Sequence, residues 1–229
     1  MRQKIQIILA SNSPRRRELL KQAGLEFQII TNDIQEKTEY TKPSDVVLDL
    51  SEQKAGAVSD IFIRKTSKMD SVFSLQNDEV GRVLVVGADT VVALDEKILG
   101  KPKNIEEAKD FLMRLSGRSH EVYTGVSCKF IDLTKCDKAS KDNESDSDNI
   151  IDNFSFYVKT EVKMFSFNEY EALDYIATGE PMDKAGAYGI QGIGSRLVES
   201  INGDYNNVVG FPLSHFIREL SKRKYIEYY

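Results

Sequence analysis

A short apolar run near the start of the chain ends at residues that typically begin a helix. Residues 5–10 are almost all apolar and lead into Ser11-Asn12-Ser13-Pro14. A short apolar run is typical of a buried strand, and Ser and Pro are favoured at the N-cap and first position of a helix. The pattern predicts a strand, a tight turn capped by Ser13, and a helix closed by Gly24.

The longest hydrophobic stretch of the chain covers residues 83–94 and predicts a central strand. Before it, apolar residues recur at helical spacing from Ser44 to Ala57. This spacing predicts a helix in which Lys54 interrupts an otherwise apolar stripe. Asp89 likewise interrupts the apolar strand.

The second half of the chain alternates between helical and period-2 patterns. It predicts a helix from Asn104 to Leu115, a long hairpin formed by residues 120–132 and 154–167, and a helix over 168–178. Asn202-Gly203 predicts a further hairpin turn. Helices and strands alternate first and a hairpin follows, so we expect an α/β fold with a mixed sheet.

Two polar segments, at about 64–82 and 133–153, interrupt these patterns. Of the 17 residues from Asp137 to Asn153, 14 are charged, Ser or Asn, too few apolar residues for a core of their own. We expect both segments to be loop insertions, the second of them mobile. The chain has no internal repeat and no Pro-rich linker, which predicts a single domain over residues 1–229.

The overall charge opposes binding to nucleic acid or to an anionic membrane. Thirty-one Lys and Arg residues stand against 36 Asp and Glu, a net charge of -5. The apolar run at the start is too short to cross a bilayer. Two cysteines without a CxxC spacing favour a reducing compartment, so we expect a soluble cytoplasmic protein.

Three consecutive arginines at a helix start predict a local anion site. Arg15, Arg16 and Arg17 follow a strand at a helix N-terminus, where backbone N–H groups and the helix dipole favour phosphate. Guanidinium groups add bidentate hydrogen bonds to phosphate oxygens. The alternative is a solvated first turn, although cations at this end of a helix do not stabilise it.

Asp89 and Lys54 each allow two interpretations. An acid within a buried strand is paired, bound to metal, or placed where the strand faces a cleft, and the alternative is a structural Asp bonded to backbone amides. The long stem of Lys54 can lie on apolar surface with its ammonium in solvent. Glu36 and Lys101 are individually weak candidates, since loop charges are usually solvated.

Residues 186–194 contain four glycines around Gln191, whose amide offers both a donor and an acceptor for the edge of a base. The chain has neither the dinucleotide-binding GxGxxG after a strand nor the P-loop sequence GxxxxGK[ST]. His120 and His215 are its only histidines, which excludes a histidine cluster for zinc.

Taken together, six motifs in order resemble the Maf family of nucleoside triphosphate pyrophosphatases. The match covers nearly the whole chain outside 64–82 and 133–153, with Phe211 where Leu is usual. The motifs are LASNSPRR (9–16), GADTVV (87–92), GKP (100–102), LSGRSH (115–120), GEPMDKAGAYGIQG (179–192) and GDYNNVVGFPL (203–213).

The resemblance implies hydrolysis of a nucleoside triphosphate between its α- and β-phosphates, with a divalent cation such as Mg, Mn or Co. Asp89 matches the family's proton acceptor. Arg15, Thr90 and Gln191 match positions for substrate choice in the branch acting on dTTP and UTP. The motif YGIQ (188–191) is similar to the corresponding motif of that branch, whereas the 7-methyl-GTP branch tends to carry FGIE.

Other positions match the family's active site: Ser11, Arg16, Glu36, Lys54 and Lys101. Of these, Lys101 and Glu36 are implied to act in catalysis, and Glu36 and Asp89 to hold the metal. Whether Asp89 acts as general base or as metal ligand stays open. The implied fold is an elongated Maf/ITPase-like α/β structure with a central mixed twisted sheet and a cleft between two lobes. Homodimers are common in the family, and a homodimer is therefore an expectation.

Two other classes of function compete with an enzyme. A nucleotide-binding regulator of cell division would keep the same cleft, because the family name is linked to inhibition of septum formation. The presence of Asp89 and Lys101 argues for turnover. Binding of RNA or DNA through Arg15, Arg16 and Arg17 is disfavoured by the acidic total and by the lack of further basic clusters.

Overall fold

The computed structural model describes residues 1–66, 82–132 and 150–228, so most of both polar segments lies outside the described residues. The described strands are β1 (Arg2–Gln3), β2 (Gln6–Leu9), β3 (Phe27–Ile29), β4 (Arg82–Leu94), β5 (Lys97–Leu99), β6 (Ser119–Asp132), β7 (Ile150–Met164), β8 (Val198–Asn202) and β9 (Ile226–Glu227). The described α-helices are α1 (Pro14–Gln22), α2 (Pro43–Thr66), α3 (Ile105–Leu115), α4 (Glu169–Ile176), α5 (Tyr205–Val209) and α6 (Leu213–Lys222). Between α4 and β8 the chain forms three short 3₁₀ turns.

A seven-stranded mixed sheet forms the centre of the fold, as predicted. Its order is β3-β2-β4-β6-β7-β8, and β5 pairs with β4. β2 lies parallel to β3 and β4, and the other pairs are antiparallel. β6 and β7 form the predicted long hairpin. β1 and β9 form a separate two-stranded sheet.

The alternation of side chains along β4 assigns its two faces to different helices. Val83 and Val85 pack in a core under α2. Leu84 and Ala88 lie on the opposite face, in a core with α1 and α6. Farther along that face, Val92 belongs to a second core built around α3 and α4. The two cores on this face form the two lobes, and they are separated at the middle of β4.

Helix α2 lies very close to the sheet because two positions beneath it lack a side chain. A Cβ on Gly87 would lie 2.2 Å from the backbone oxygen of Ser51, and one on Gly125 would lie 2.3 Å from that of Val47. Gly125 is the register partner of Asp89. The glycines therefore allow α2 to bring its side chains against the middle of β4.

The predicted hairpin turn is wrong, and α2 and β7 each extend a few residues into a predicted polar segment. Asn202-Gly203 does not turn a hairpin, because Asp204 Oδ1 accepts from the N–H groups of Asn206 and Asn207 and caps α5. The second polar segment ends before 153, since β7 already begins at Ile150 and pairs with Ile131. The first begins after 64, since α2 continues to Thr66. In the part of the chain that the structure describes, no helix has the length and apolarity needed to cross a membrane.

Candidate functional site

The cleft between the lobes opens where β4 extends beyond its parallel neighbour. β2 ends opposite Val86, and β5 pairs with β4 only from Val92 onward. Among the described strands, residues 87–91 of β4 therefore have a neighbour on one side alone, β6. An open cavity of about 560 Å³ lies at this gap. All nine candidate side chains line it: Ser11, Arg15, Arg16, Glu36, Lys54, Asp89, Thr90, Lys101 and Gln191.

Lys54 connects the two candidate carboxylates. Its Nζ lies 2.6 Å from Asp89 Oδ1 and 2.9 Å from Glu36 Oε2. The side chains of Lys54 and Asp89 are 16% and 13% exposed, and that of Glu36 is 41% exposed. The lysine that interrupted the apolar stripe of α2 thus lies with its ammonium between two acids. Asp89 is therefore a paired acid, one of the arrangements that make a carboxylate in a buried strand tolerable.

Arg16 is buried, and its guanidinium donates four hydrogen bonds to protein acceptors. Nε donates to Gly210 O at 2.9 Å, and Nη1 donates to Ala88 O at 2.8 Å and Ser11 Oγ at 3.1 Å. Nη2 donates to Thr90 Oγ1 at 3.1 Å. Burial lowers the pKa of this guanidinium, although the charges of Asp89 and Glu36 oppose the shift. A guanidinium has five N–H groups, so only one remains for a ligand.

Arg15 and Arg17 differ in their access to the cavity. Arg15 lies in the cavity wall, and its Nη1 is 3.4 Å from Asp183 Oδ2. Arg17 turns back to donate to Asn12 O at 2.8 Å and is not part of the cavity lining. Of the three arginines, Arg15 therefore has the guanidinium most available for bidentate contact with phosphate.

Thr90 belongs to a buried polar network that sequence patterns did not indicate. Its Oγ1 lies 2.9 Å from Thr124 Oγ1, which in turn lies 3.0 Å from Asn207 O. Thr90 Oγ1 also lies 3.4 Å from Gly210 O, so either threonine can be the donor in the bond between the two hydroxyls. Asn207 is completely buried and donates to Val122 O and to Thr160 Oγ1. Its one sequence signal is its place in the motif at 203–213.

The remaining candidates offer groups at the cavity surface. Ser11 is buried, and its Oγ accepts from Arg16 and from the Ser13 N–H, which leaves the hydroxyl hydrogen for a ligand. Lys101 and Gln191 are exposed. Lys184 adds a cation to the cavity wall, with Nζ 2.7 Å from Asp183 Oδ1.

His120 is a core residue rather than a ligand for metal. It is 2% exposed, and its Nε2 lies 2.7 Å from Tyr188 Oη. Burial lowers the pKa of His120 to about 4, so the imidazole is neutral at pH 7. Nδ1 is buried without a hydrogen-bond partner.

Within residues 1–66, 82–132 and 150–228, no group of three or more His, Cys, Asp or Glu side chains is arranged to hold a metal ion. Glu36 and Asp89 are two carboxylates at one point in the cavity wall. Mg²⁺ is usually held by one or two carboxylates together with substrate phosphates and water. The donor set therefore fits a divalent cation that enters with a phosphorylated ligand.

Known proteins resemble this chain over almost its full length. The dTTP/UTP pyrophosphatase of Agathobacter rectalis is 45% identical over 217 residues, covering 95% of this chain and 97% of that protein. A protein of the same name from Bacillus cereus is 43% identical and covers 94% of each. The structure of a HAM1 protein from Coxiella burnetii is a distant match, with 13% identity and a TM-score of 0.46 over 95% of this chain and 99% of that one. The Maf family, described as Maf-like protein, matches residues 6–223, and the chain belongs to that family.

Proposed function

We propose that this protein hydrolyses dTTP and UTP to the nucleoside monophosphate and pyrophosphate. The observation that carries the proposal is the Lys54–Asp89 ion pair in a cleft that collects all nine candidate residues. Two relatives at 43–45% identity are named dTTP/UTP pyrophosphatase, which supports the same substrates here.

The cations of the cleft suit a triphosphate. Arg15, Lys54, Lys101 and Lys184 all line the cavity. Positive groups held at the position of the leaving pyrophosphate stabilise the charge that develops there. Arg15 provides a planar guanidinium for bidentate bonds to phosphate, and the Ser11 hydroxyl provides a neutral donor.

Asp89 acts as the proton acceptor for the attacking water. Lys54 binds Oδ1, and we assign Oδ2 to the proton. The neighbouring ammonium holds the carboxylate in one orientation before the reaction. Arg16 has a different part: its bonds to Ala88 O, Gly210 O and Ser11 hold three walls of the cleft together.

Glu36 would hold a divalent cation, Mg, Mn or Co, jointly with phosphate oxygens. Asp89 would be a second ligand in the alternative in which the cation, and not Asp89, activates the water. When bound, the cation neutralises phosphate charge and polarises the reacting phosphorus. In the free protein the ammonium of Lys54 lies between these two carboxylates and offsets part of their negative charge.

Gln191 is the group proposed to select the pyrimidine base. It is exposed in the cavity wall, where its amide can both donate to and accept from the imide edge of uracil or thymine. Turnover of 7-methyl-GTP is the alternative within the same family. A nucleotide-binding regulator without turnover is the alternative outside enzymes.

The test is hydrolysis of a nucleotide panel by the purified full-length protein. UTP, dTTP, CTP, GTP and 7-methyl-GTP are supplied with Mg²⁺, and pyrophosphate and free phosphate are quantified separately. We expect UTP and dTTP to give monophosphate and pyrophosphate. Release of single phosphates would contradict the bond assignment, faster turnover of 7-methyl-GTP would contradict the base assignment, and binding without turnover would favour the regulator.

A further inference from the structure

A buried tyrosine and a carboxylate form a polar pair beneath the glycine-rich segment 186–194. Tyr175 of α4 is completely buried in the second core. Its hydroxyl donates to Glu180 Oε1 at 2.9 Å and accepts from the Gly189 N–H at 3.1 Å. A tyrosine hydroxyl in an apolar core requires hydrogen-bond partners, and Glu180 and the Gly189 N–H satisfy this requirement.

Glu180 binds the other end of the same segment. Its Oε2 accepts from the Ile193 N–H at 3.0 Å, and its Oε1 accepts from the Gly194 N–H at 3.2 Å. Burial by itself raises the pKa of Glu180, but the bonds from Ile193, Tyr175 and Gly194 outweigh it and the pKa is lowered. The Glu180 carboxylate therefore binds two backbone N–H groups as an ionised acceptor, and the neutral Tyr175 hydroxyl binds a third.

The glycines of the segment are required by this packing. Gly192 has φ +67°, and a Cβ there would lie 2.8 Å from Glu180 Oε2. A Cβ on Gly194 would lie 2.5 Å from Tyr175 Oη and 2.4 Å from Gly189 O. The backbone thus rests directly on the polar pair.

Gln191 lies between these attachment points. Gly189 is bound on one side of it, and Ile193 and Gly194 on the other. The side chain of Gln191 is exposed in the cavity wall. A ligand that contacts this side chain meets a backbone already held in place, which reduces the entropy lost on binding.

We propose that Tyr175 and Glu180 are positioning residues that hold Gln191 for base selection without touching the substrate. The proposal rests on the function proposed above for Gln191. A positioning role differs from a general stabilising role because it predicts a loss of affinity that depends on the base of the nucleotide. Removing the pair should weaken the binding of uracil and thymine nucleotides more than that of guanine nucleotides, because the phosphate contacts elsewhere in the cleft persist for all of them.

The experiment compares Tyr175→Phe and Glu180→Gln with the matched control Tyr170→Phe. Tyr170 lies on the same helix and is 84% exposed. The dissociation constants of the α,β-methylene analogues of UTP and GTP are measured for each protein, together with amide hydrogen exchange of peptides spanning 186–194. Thermal unfolding shows that each variant is folded.

In each of the two variants we expect the preference for the UTP analogue over the GTP analogue to fall about tenfold, the effect of one displaced hydrogen bond. Exchange across 186–194 should become faster, and the control should match wild type. An unchanged preference in both variants, or an equal loss for both analogues, would overturn the proposal. These binding readouts do not depend on hydrolysis, so failure of wild type to hydrolyse UTP would count against the proposed function separately.

Discussion

The ammonium of Lys54 lies 2.6 Å from Asp89 Oδ1, although helix α2 and strand β4 place the two residues 35 positions apart in the chain. Both side chains are mostly buried. A buried carboxylate without its cation is costly, since the desolvated charge is no longer compensated. The pair therefore couples the packing of α2 on the sheet to the chemistry of the cleft.

Asp89→Asn should lower turnover of UTP by about 10²–10⁴-fold, the usual effect of losing a general base. Asparagine keeps the size of the side chain and an acceptor for Lys54, so the fold should persist. Initial rates at saturating UTP measure the effect, and Asp60→Asn on the exposed face of α2 is the control. Turnover near the wild-type rate in a folded Asp89→Asn protein would remove Asp89 from the mechanism.

Gly125→Ala should lower both stability and turnover. The added Cβ would meet the Val47 backbone oxygen at 2.3 Å, so α2 must shift away from the sheet and carry Lys54 with it. Overpacking of this kind typically costs about 1–3 kcal/mol. Urea unfolding and UTP turnover measure the two effects.

The control for that substitution is Gly56→Ala in α2, the helix that Gly125→Ala would displace. A Cβ there would meet only the end of the Lys129 side chain, at 3.7 Å. Replacing a helical glycine by alanine stabilises by roughly 0.5–1 kcal/mol. If Gly125→Ala matched this control, the close approach of α2 would not depend on the glycine.

Gln191→Glu should reduce kcat/KM for UTP and dTTP much more than for GTP. The uracil imide has one N–H between two carbonyl oxygens, and an ionised carboxylate only accepts, so it would face a carbonyl oxygen. Guanine has an N–H and an amino group that donate to a carboxylate. The measurement is the ratio of kcat/KM values in wild type and variant. An equal loss for all three nucleotides would show that Gln191 does not read the base.

His120 should make the protein less stable as the pH falls from about 6.5 to about 4. The imidazole titrates at 6.5 in an ordinary setting, but burial lowers its folded pKa to about 4. The unfolded chain therefore binds more protons in this window, and stability rises with pH across it. The full effect is on the order of 3 kcal/mol.

The measurement is urea unfolding of wild type and His120→Gln at pH 7, 5.5 and 4. Carboxylates contribute equally to both proteins, so the difference between the two isolates His120. Wild type should lose more stability than the variant on acidification. Equal losses of stability in wild type and His120→Gln would show that folding does not lower the pKa of His120.

Helices and strands were predictable where the residues of a single segment form a clear hydrophobic or capping pattern. The apolar run at 83–94 predicted β4, the alternation at 120–132 and 154–167 predicted the β6–β7 hairpin, and Ser13-Pro14 marked the start of α1. The predicted cap is wrong in one respect, because the Ser13 side chain makes no capping hydrogen bond. The predicted Asn202-Gly203 hairpin turn was wrong because the next residue, Asp204, caps helix α5. Both patterns are local, and the sequence alone does not say which of them prevails.

What the sequence by itself determined is therefore the kind and order of the elements, together with the set of polar residues that the motifs single out. Only the tertiary structure decided the partners of those residues. Arg16 and Arg17 have the same chemistry and adjacent positions, yet one is buried against four acceptors and the other turns away from the cleft. Helical spacing sends neighbouring side chains in different directions, and the groups that they meet come from distant strands whose arrangement depends on packing of the whole chain.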